Sequence, residues 1–264
     1  ADFPEPSLPP LAAGKETPYR FPGGTIRPPA DLQKELVVAE GYAVNLFASE
    51  TQFPELRNPV QLSFDARGRL WVVTMPSFPH TIPGERPVDK ILILEDTDHD
   101  GRADTCTVFA DGFDALDGVA FHERGVIVSA QPRLLVLNDT DGDGRADTRA
   151  ELLRGVDMTD SHHGGMVATD PMGFVIFADG VFHRSQFETP FGVVRGIDST
   201  TYRLDPRSGR LTAEWRSMTP NPWKVTWDRH GNLLERFGGG HLLDGLALTW
   251  TPAGVHHPYG NGTV

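Results

Sequence analysis

The sequence predicts an all-β chain, a β-propeller built of four-stranded blades, on three observations. Four segments share one pattern, in which an apolar half-strand runs into Asp or His, two turn residues, Gly and a second strand. They are VQLSFDARGRLWVV from Val60, GVAFHERGVIVSA from Gly118, GMVATDPMGFVIFA from Gly165 and KVTWDRHGNLLER from Lys224. A second hairpin follows each of the first three: KILILEDTDHDGRADTCTVFADGF, RLLVLNDTDGDGRADTRAELLRGV and TTYRLDPRSGRLTAEWRS. The pattern's glycines, Gly68, Gly125, Gly173 and Gly231, recur at intervals of 57, 48 and 58 residues, which suits blades with loops of variable length.

In chain order, the first 39 residues come first. ADFPEPSLPPLAAGKETPYRFPGG is rich in proline and small residues and has no hydrophobic period, so residues 1–39 read as an extended tether. The chain starts at Ala1 rather than Met, as a mature chain does after signal-peptide removal, and export to a periplasmic or extracellular compartment is the expectation.

Residues 40–240 carry the blades. D-x-x-G between alternating apolar runs is hairpin chemistry: Gly takes the left-handed backbone position and the Asp carboxylate closes the turn. Two hairpins make one four-stranded blade. Propellers close with roughly four to eight blades, so this chain is expected to form an incomplete arc of about three and a half. The stretch from residue 241 to 264, HLLDGLALTWTPAGVHHPYGNGTV, abandons the pattern and reads as the tail of a truncated or frame-shifted product. A β-sandwich is the alternative architecture; a helical solenoid is excluded, because no unit holds a long helix-period run.

Composition narrows the function. A net charge of −12 leaves no basic stripe for phosphates, which excludes a nucleic-acid partner. No apolar stretch approaches the ~18 residues of a membrane span. Cys106 is the only cysteine, so neither an internal disulfide nor a CxxC motif can form.

EDTDHDGRADT and NDTDGDGRADT, 43 residues apart, set carboxylates in one register twice. Asp96, Asp98, Asp100 and Asp104 fall at loop positions 1, 3, 5 and 9, with Gly101 at 6 and the Arg102 carbonyl at 7. Asp139, Asp141, Asp143, Asp147, Gly144 and Arg145 repeat that register. These are the hard-oxygen positions of a calcium loop. Thr107 and Ala150 stand where an EF-hand has its bidentate Glu, and the flanks are strands, so structural calcium hairpins of weak affinity are expected.

DKILILEDTDHDGRADTCTVFADG, GVFHRSQFETPFG and NPWKVTWDRHGN together resemble the propeller domain of the membrane-bound dehydrogenases of planctomycetes and verrucomicrobia, a group similar to the soluble quinoprotein glucose/sorbosone dehydrogenases. The resemblance covers about residues 40–240. It implies a six-bladed, TolB-like propeller, export, and a cytochrome c electron acceptor whose CxxCH motif does not occur here. SHHGGMVATDPMG resembles the quinoproteins' H-x-G-G motif. By that likeness His162 is the general base that removes a substrate hydroxyl proton as hydride passes to pyrroloquinoline quinone, and Gly164 and Gly165 let a flat cofactor approach the backbone. TPNPWK matches the family's R-N-P-Q-G segment at Asn221 and Pro222, which makes Asn221 a cofactor-binding residue. Pro220 replaces the arginine there, so quinone binding by this chain is expected to be weak or absent.

Two functions follow. One is an exported dehydrogenase of a sugar or alcohol; the other is a non-catalytic, calcium-stiffened propeller that binds a glycan or protein. His183, Arg184 and Glu188 are further candidates for the channel mouth, whereas Trp71, Trp223 and Trp227 read as blade packing.

Overall fold

The turns come first, because their side chains dictate where each strand ends. In the computed structural model the Asp65 carboxylate accepts the N–H groups of Arg67 and Arg69, and Gly68 stands at φ 80°. Asp170 accepts those of Met172 and Phe174, with Gly173 at φ 84°. His122 does the work of the missing Asp: its Nδ1 accepts the Arg124 N–H, and its Nε2–H donates to the Gly173 carbonyl of the next unit. The repeated turn is therefore also a link between consecutive units.

The structure describes residues 28–237, apart from 35, 37, 80, 82, 161, 163–166, 217–221, 228 and 230–232. The first 27 residues of the expected tether and the whole of the expected tail lie outside it. The chain divides into two units, Ala1–Leu46 and Phe47–Val264. The first holds one short helix, α1 (Pro29–Gln33), which proline starts at its first turn; the Gln33 amide donates to the Val44 carbonyl.

Among its described residues the second unit is antiparallel sheet, apart from one 3-10 turn at Pro54–Leu56. Strands β1 (Pro59–Phe64), β2 (Leu70–Thr74), β3 (Asp89–Glu95) and β4 (Thr105–Phe113) form the first blade in the order β1-β2-β3-β4. Strands β5 (Leu116–His122), β6 (Gly125–Ala130), β7 (Arg133–Asn138) and β8 (Thr148–Arg154) repeat that order. The third blade runs β9-β10-β13-β14: β9 (Val167–Thr169), β10 (Val175–Ala178), β13 (Thr200–Asp205) and β14 (Arg210–Arg216). An inserted hairpin, β11 (Gln186–Thr189) and β12 (Gly192–Arg195), interrupts it. Half a blade ends the described chain, β15 (Pro222–Trp227) with β16 (Leu233–Phe237). Three and a half blades are present, as the repeat predicts, and the described sheets form an incomplete propeller.

Alternation along each strand explains the packing. Val126 and Val128 of β6 point into a core shared with Trp71, Ile91 and Phe109 of the first blade. Ile127 between them points the other way, into a core shared with Val175, Phe177 and Tyr202 of the third. Ile176 and Ala178 meet Val225 of β15 in the same manner. Trp71 stands edge-on to Phe109 at 4.6 Å and to Phe121 at 5.2 Å, so it packs blade against blade. Leu56, Phe47 and Phe53 cover the remaining face of the first blade over Val72, Leu92 and Leu94.

Candidate functional site

The two acidic loops join β3 to β4 and β7 to β8. In the first, Asp96 accepts the Gly101 N–H at 2.8 Å, Asp98 accepts that of Asp100 at 3.1 Å, and Asp104 accepts the Thr97 N–H and hydroxyl at 2.6 Å. The second loop copies these contacts at Asp139 with Gly144, Asp141 with Asp143, and Asp147 with Thr140. Hydrogen bonds from the Thr side chain, then from its backbone, hold the Asp104 and Asp147 carboxyls below their ordinary range.

Asp96, Asp98 and Asp104 bring one oxygen each within 4.8 Å of one another, and so do Asp139, Asp141 and Asp147. Two oxygens on a calcium ion at ~2.4 Å each can stand no more than about 4.8 Å apart, and both triplets meet that requirement. The fifth-position carboxylates stand outside these triplets. Asp100 and Asp143 instead accept the N–H groups of Arg102 and Arg145, each at 2.8 Å.

The other site lies between the chain following β8 and the chain following β10. His162 donates its Nδ1–H to the Asp160 carboxylate, which also accepts the His162 backbone N–H at 2.9 Å. The imidazole bond is the larger cause, and together they hold Asp160 below its ordinary value. With Nδ1–H committed, the neutral ring carries its lone pair at Nε2. The imidazole side chain is 40% exposed. This is the arrangement of a base oriented by a carboxylate.

Beneath it runs a polar network that sets the positions of both loops. The His183 Nε2–H donates to the Asp160 carbonyl at 3.3 Å. Asp157 accepts the Arg184 N–H, and its own N–H donates to the Ser185 hydroxyl. Ser185 and Tyr202 donate to the two oxygens of Asp179, at 2.7 and 2.5 Å. Asp179 is fully buried, and burial, only partly opposed by those two donors, pushes its carboxyl up to about 6. Gly180 lies against His162: a Cβ there would overlap the His162 carbonyl oxygen.

Phe182 completes the wall. Its ring stands edge-on to the His162 imidazole, centroids 5.5 Å apart, and the residue is 62% exposed. Its φ is 68°, a region that costs an L-residue about 1–2 kcal/mol. The Phe182 N–H donates to the Asp198 carboxylate, which Arg216 also binds. Asp198 and Ser199 are left-handed as well, and their N–H groups donate to the carbonyls of His183 and Gly180.

Of the expected site residues, His162 therefore stands in a built site, with Asp160 and Phe182 as partners that sequence reasoning missed. Gly164, Gly165 and Asn221 lie outside the described residues, as does the neighbouring His163. His183 is buried beneath the site, whereas Arg184 and Glu188 are exposed. An open cleft of about 460 Å³ lies beyond Asp198, lined by Arg195, Ile197, Thr200, Glu214, Trp215 and Arg216; neither member of the Asp160–His162 pair lines it. Among the described residues no helix is long and apolar enough to cross a membrane.

A family model described as Domain of unknown function (DUF7133) matches residues 28–237. No curated protein matches the chain. Among solved structures, it is similar to a luciferin-regenerating enzyme at 12% identity and TM-score 0.48, over 74% of this chain and 58% of that one. A Thermus thermophilus protein named an oxidoreductase (glucose dehydrogenase) is similar at 17% identity and TM-score 0.47, over 70% and 60%. The pyranose dehydrogenase PQQ domain of Coprinopsis cinerea is similar at 17% identity and TM-score 0.47, over 68% and 43%. The chain thus spans between 43% and 60% of the length of these structures.

Proposed function

We propose a function from one premise: the chain belongs to the family described as Domain of unknown function (DUF7133). That function is oxidation of a sugar or alcohol hydroxyl by an exported, calcium-stiffened propeller, with His162 as general base. The observation that carries it is the Asp160–His162 pair. The carboxylate fixes the tautomer, so the Nε2 lone pair takes the hydroxyl proton, and the carboxylate then stabilises the imidazolium that forms.

Pyrroloquinoline quinone, when bound, supplies a two-electron acceptor for the hydride, and a cytochrome c is the electron partner that goes with it. The residues that would hold the quinone, Gly164, Gly165 and Asn221, lie outside the described residues. Calcium would be held by Asp96, Asp98 and Asp104 in one loop and by Asp139, Asp141 and Asp147 in the other. Without a bidentate Glu, such loops belong to the weak range of roughly 10⁻⁴–10⁻³ M that suits extracellular modules, which supports export.

Because quinone binding by this chain is expected to be weak or absent, the test is dye-linked oxidation of sugars and alcohols by a full-length parent that carries these blades in a complete propeller, supplied with quinone and calcium. His162→Ala should lower turnover by roughly 10²–10⁴-fold, the usual contribution of a positioned base. Asp160→Asn should lower it by less and shift the pH profile. Turnover untouched by His162→Ala, or no oxidation of any sugar or alcohol, would overturn the reading in favour of a non-catalytic glycan- or protein-binding propeller.

A further inference from the structure

Phe182 carries two costs at one position. It keeps a large apolar ring in water, and it does so from a backbone conformation that L-residues avoid. Neither is an accident of a loose loop. Asp198 pins the Phe182 N–H at 3.0 Å, Arg216 pins Asp198, and the Ser199 N–H ties this turn to Gly180 at 2.8 Å. The surrounding structure holds the ring out beside the His162 imidazole instead of letting it collapse inward. Backbone strain maintained by several independent bonds points to a use for the strained residue.

We propose that the Phe182 ring is a stacking platform for the apolar C–H face of a pyranose ring whose rim hydroxyl is presented to His162. The inference rests on the dehydrogenase reading of this site and narrows its substrate from any hydroxyl compound to a ring sugar. A phenyl residue 62% exposed leaves ring surface open to a flat ligand. The imidazole plane stands across the phenyl plane at 78°, with centroids 5.5 Å apart. A six-membered ring lying against the phenyl would sit beside the imidazole, the neighbourhood in which a rim hydroxyl must be presented to the base. The match is chemical as well as spatial, since a pyranose joins an unbroken C–H face to a polar rim, and an aromatic ring favours such a face. An open-chain polyol has the same hydroxyls and no such face, and it must also freeze several rotors to bind.

Saturation-transfer NMR and titration calorimetry with D-glucose and sorbitol, without quinone, test this on the wild-type chain and on Phe182→Ala, Phe182→Trp and His162→Ala. Truncating an exposed side chain leaves the core intact, so Phe182→Ala should fold. Irradiating the aromatic protons should saturate the C–H protons of glucose on the wild type. Phe182→Ala should abolish that transfer and weaken glucose binding by about three- to tenfold, the range of a single aromatic contact. Phe182→Trp should retain both, and sorbitol should bind more weakly and ignore Phe182. Equal glucose affinity in Phe182→Ala, with weakening in His162→Ala, would overturn the platform and leave the catalytic reading standing. Failure of the wild type to bind either compound would overturn both.

Discussion

Replacing Asp179 by Asn should change stability by an amount that depends on pH. The carboxyl is fully buried at the end of the third blade, where Tyr202 and Ser185 donate to it, and burial raises it from 3.8 to about 6. A folded state that holds a proton more tightly than the unfolded chain gains stability from it at low pH. That contribution is complete below about pH 4, is lost as pH rises through 6, and stays lost above. The shift corresponds to about 3 kcal/mol between the two limits. Asn copies the shape of the protonated acid and cannot ionise. The Asn amide offers one acceptor oxygen to the two hydroxyls, so the variant should be less stable than the wild type by about 1–3 kcal/mol at pH 4, and the difference should move in its favour by about 2–3 kcal/mol at pH 8. Urea unfolding of both proteins at pH 4, 6 and 8 measures this, and subtracting them cancels every other titrating group. A difference that does not change between pH 4 and 8 would refute the reasoning.

Gly180→Ala should disable His162 while leaving its imidazole chemically unaltered. The new Cβ would overlap the His162 carbonyl oxygen, so the backbone must yield, and a misplacement of about 1 Å already costs about 10²-fold in rate. Unchanged histidine NMR signals and unchanged turnover would contradict this. Calcium at millimolar concentration should raise the thermal midpoint, because an ion bound only by the folded state stabilises by mass action. Asp98→Ala and Asp141→Ala should each remove part of that rise, and a midpoint indifferent to both calcium and chelator would leave the acidic loops without an ion.

The blades were legible because their turns are written locally. Asp65 and Gly68 lie three residues apart, and one carboxylate decides the turn whatever surrounds it. The inserted hairpin β11–β12 was not legible. Its strands are four residues each, Phe187 is the main residue it commits to the core, and Thr-Pro-Phe-Gly lacks the Asn-Gly signal of a tight turn. At the site, the His162 motif could be read, whereas Phe182 is recruited by a turn sixteen residues downstream at Asp198. Asp179 did leave a trace: a carboxylate directly after the apolar run VIFA is in a position to be buried, although its partner Tyr202 lies 23 residues away. Asp100 and Asp143 show the converse limit. Their spacing suggests ligands, yet each carboxylate accepts the N–H two residues ahead and neither joins the triplet of its loop.

The back-to-back apolar faces of β6 have one more consequence. Val126 and Val128 belong to one core and Ile127 to the next, so a single peptide segment is the common wall of two interfaces. Within the described arc such walls are joined in series, and a blade feels its neighbours first and more distant blades through them. The second blade is thus the relay between the first blade, with the Asp96 loop, and the third blade, with the Phe182 wall.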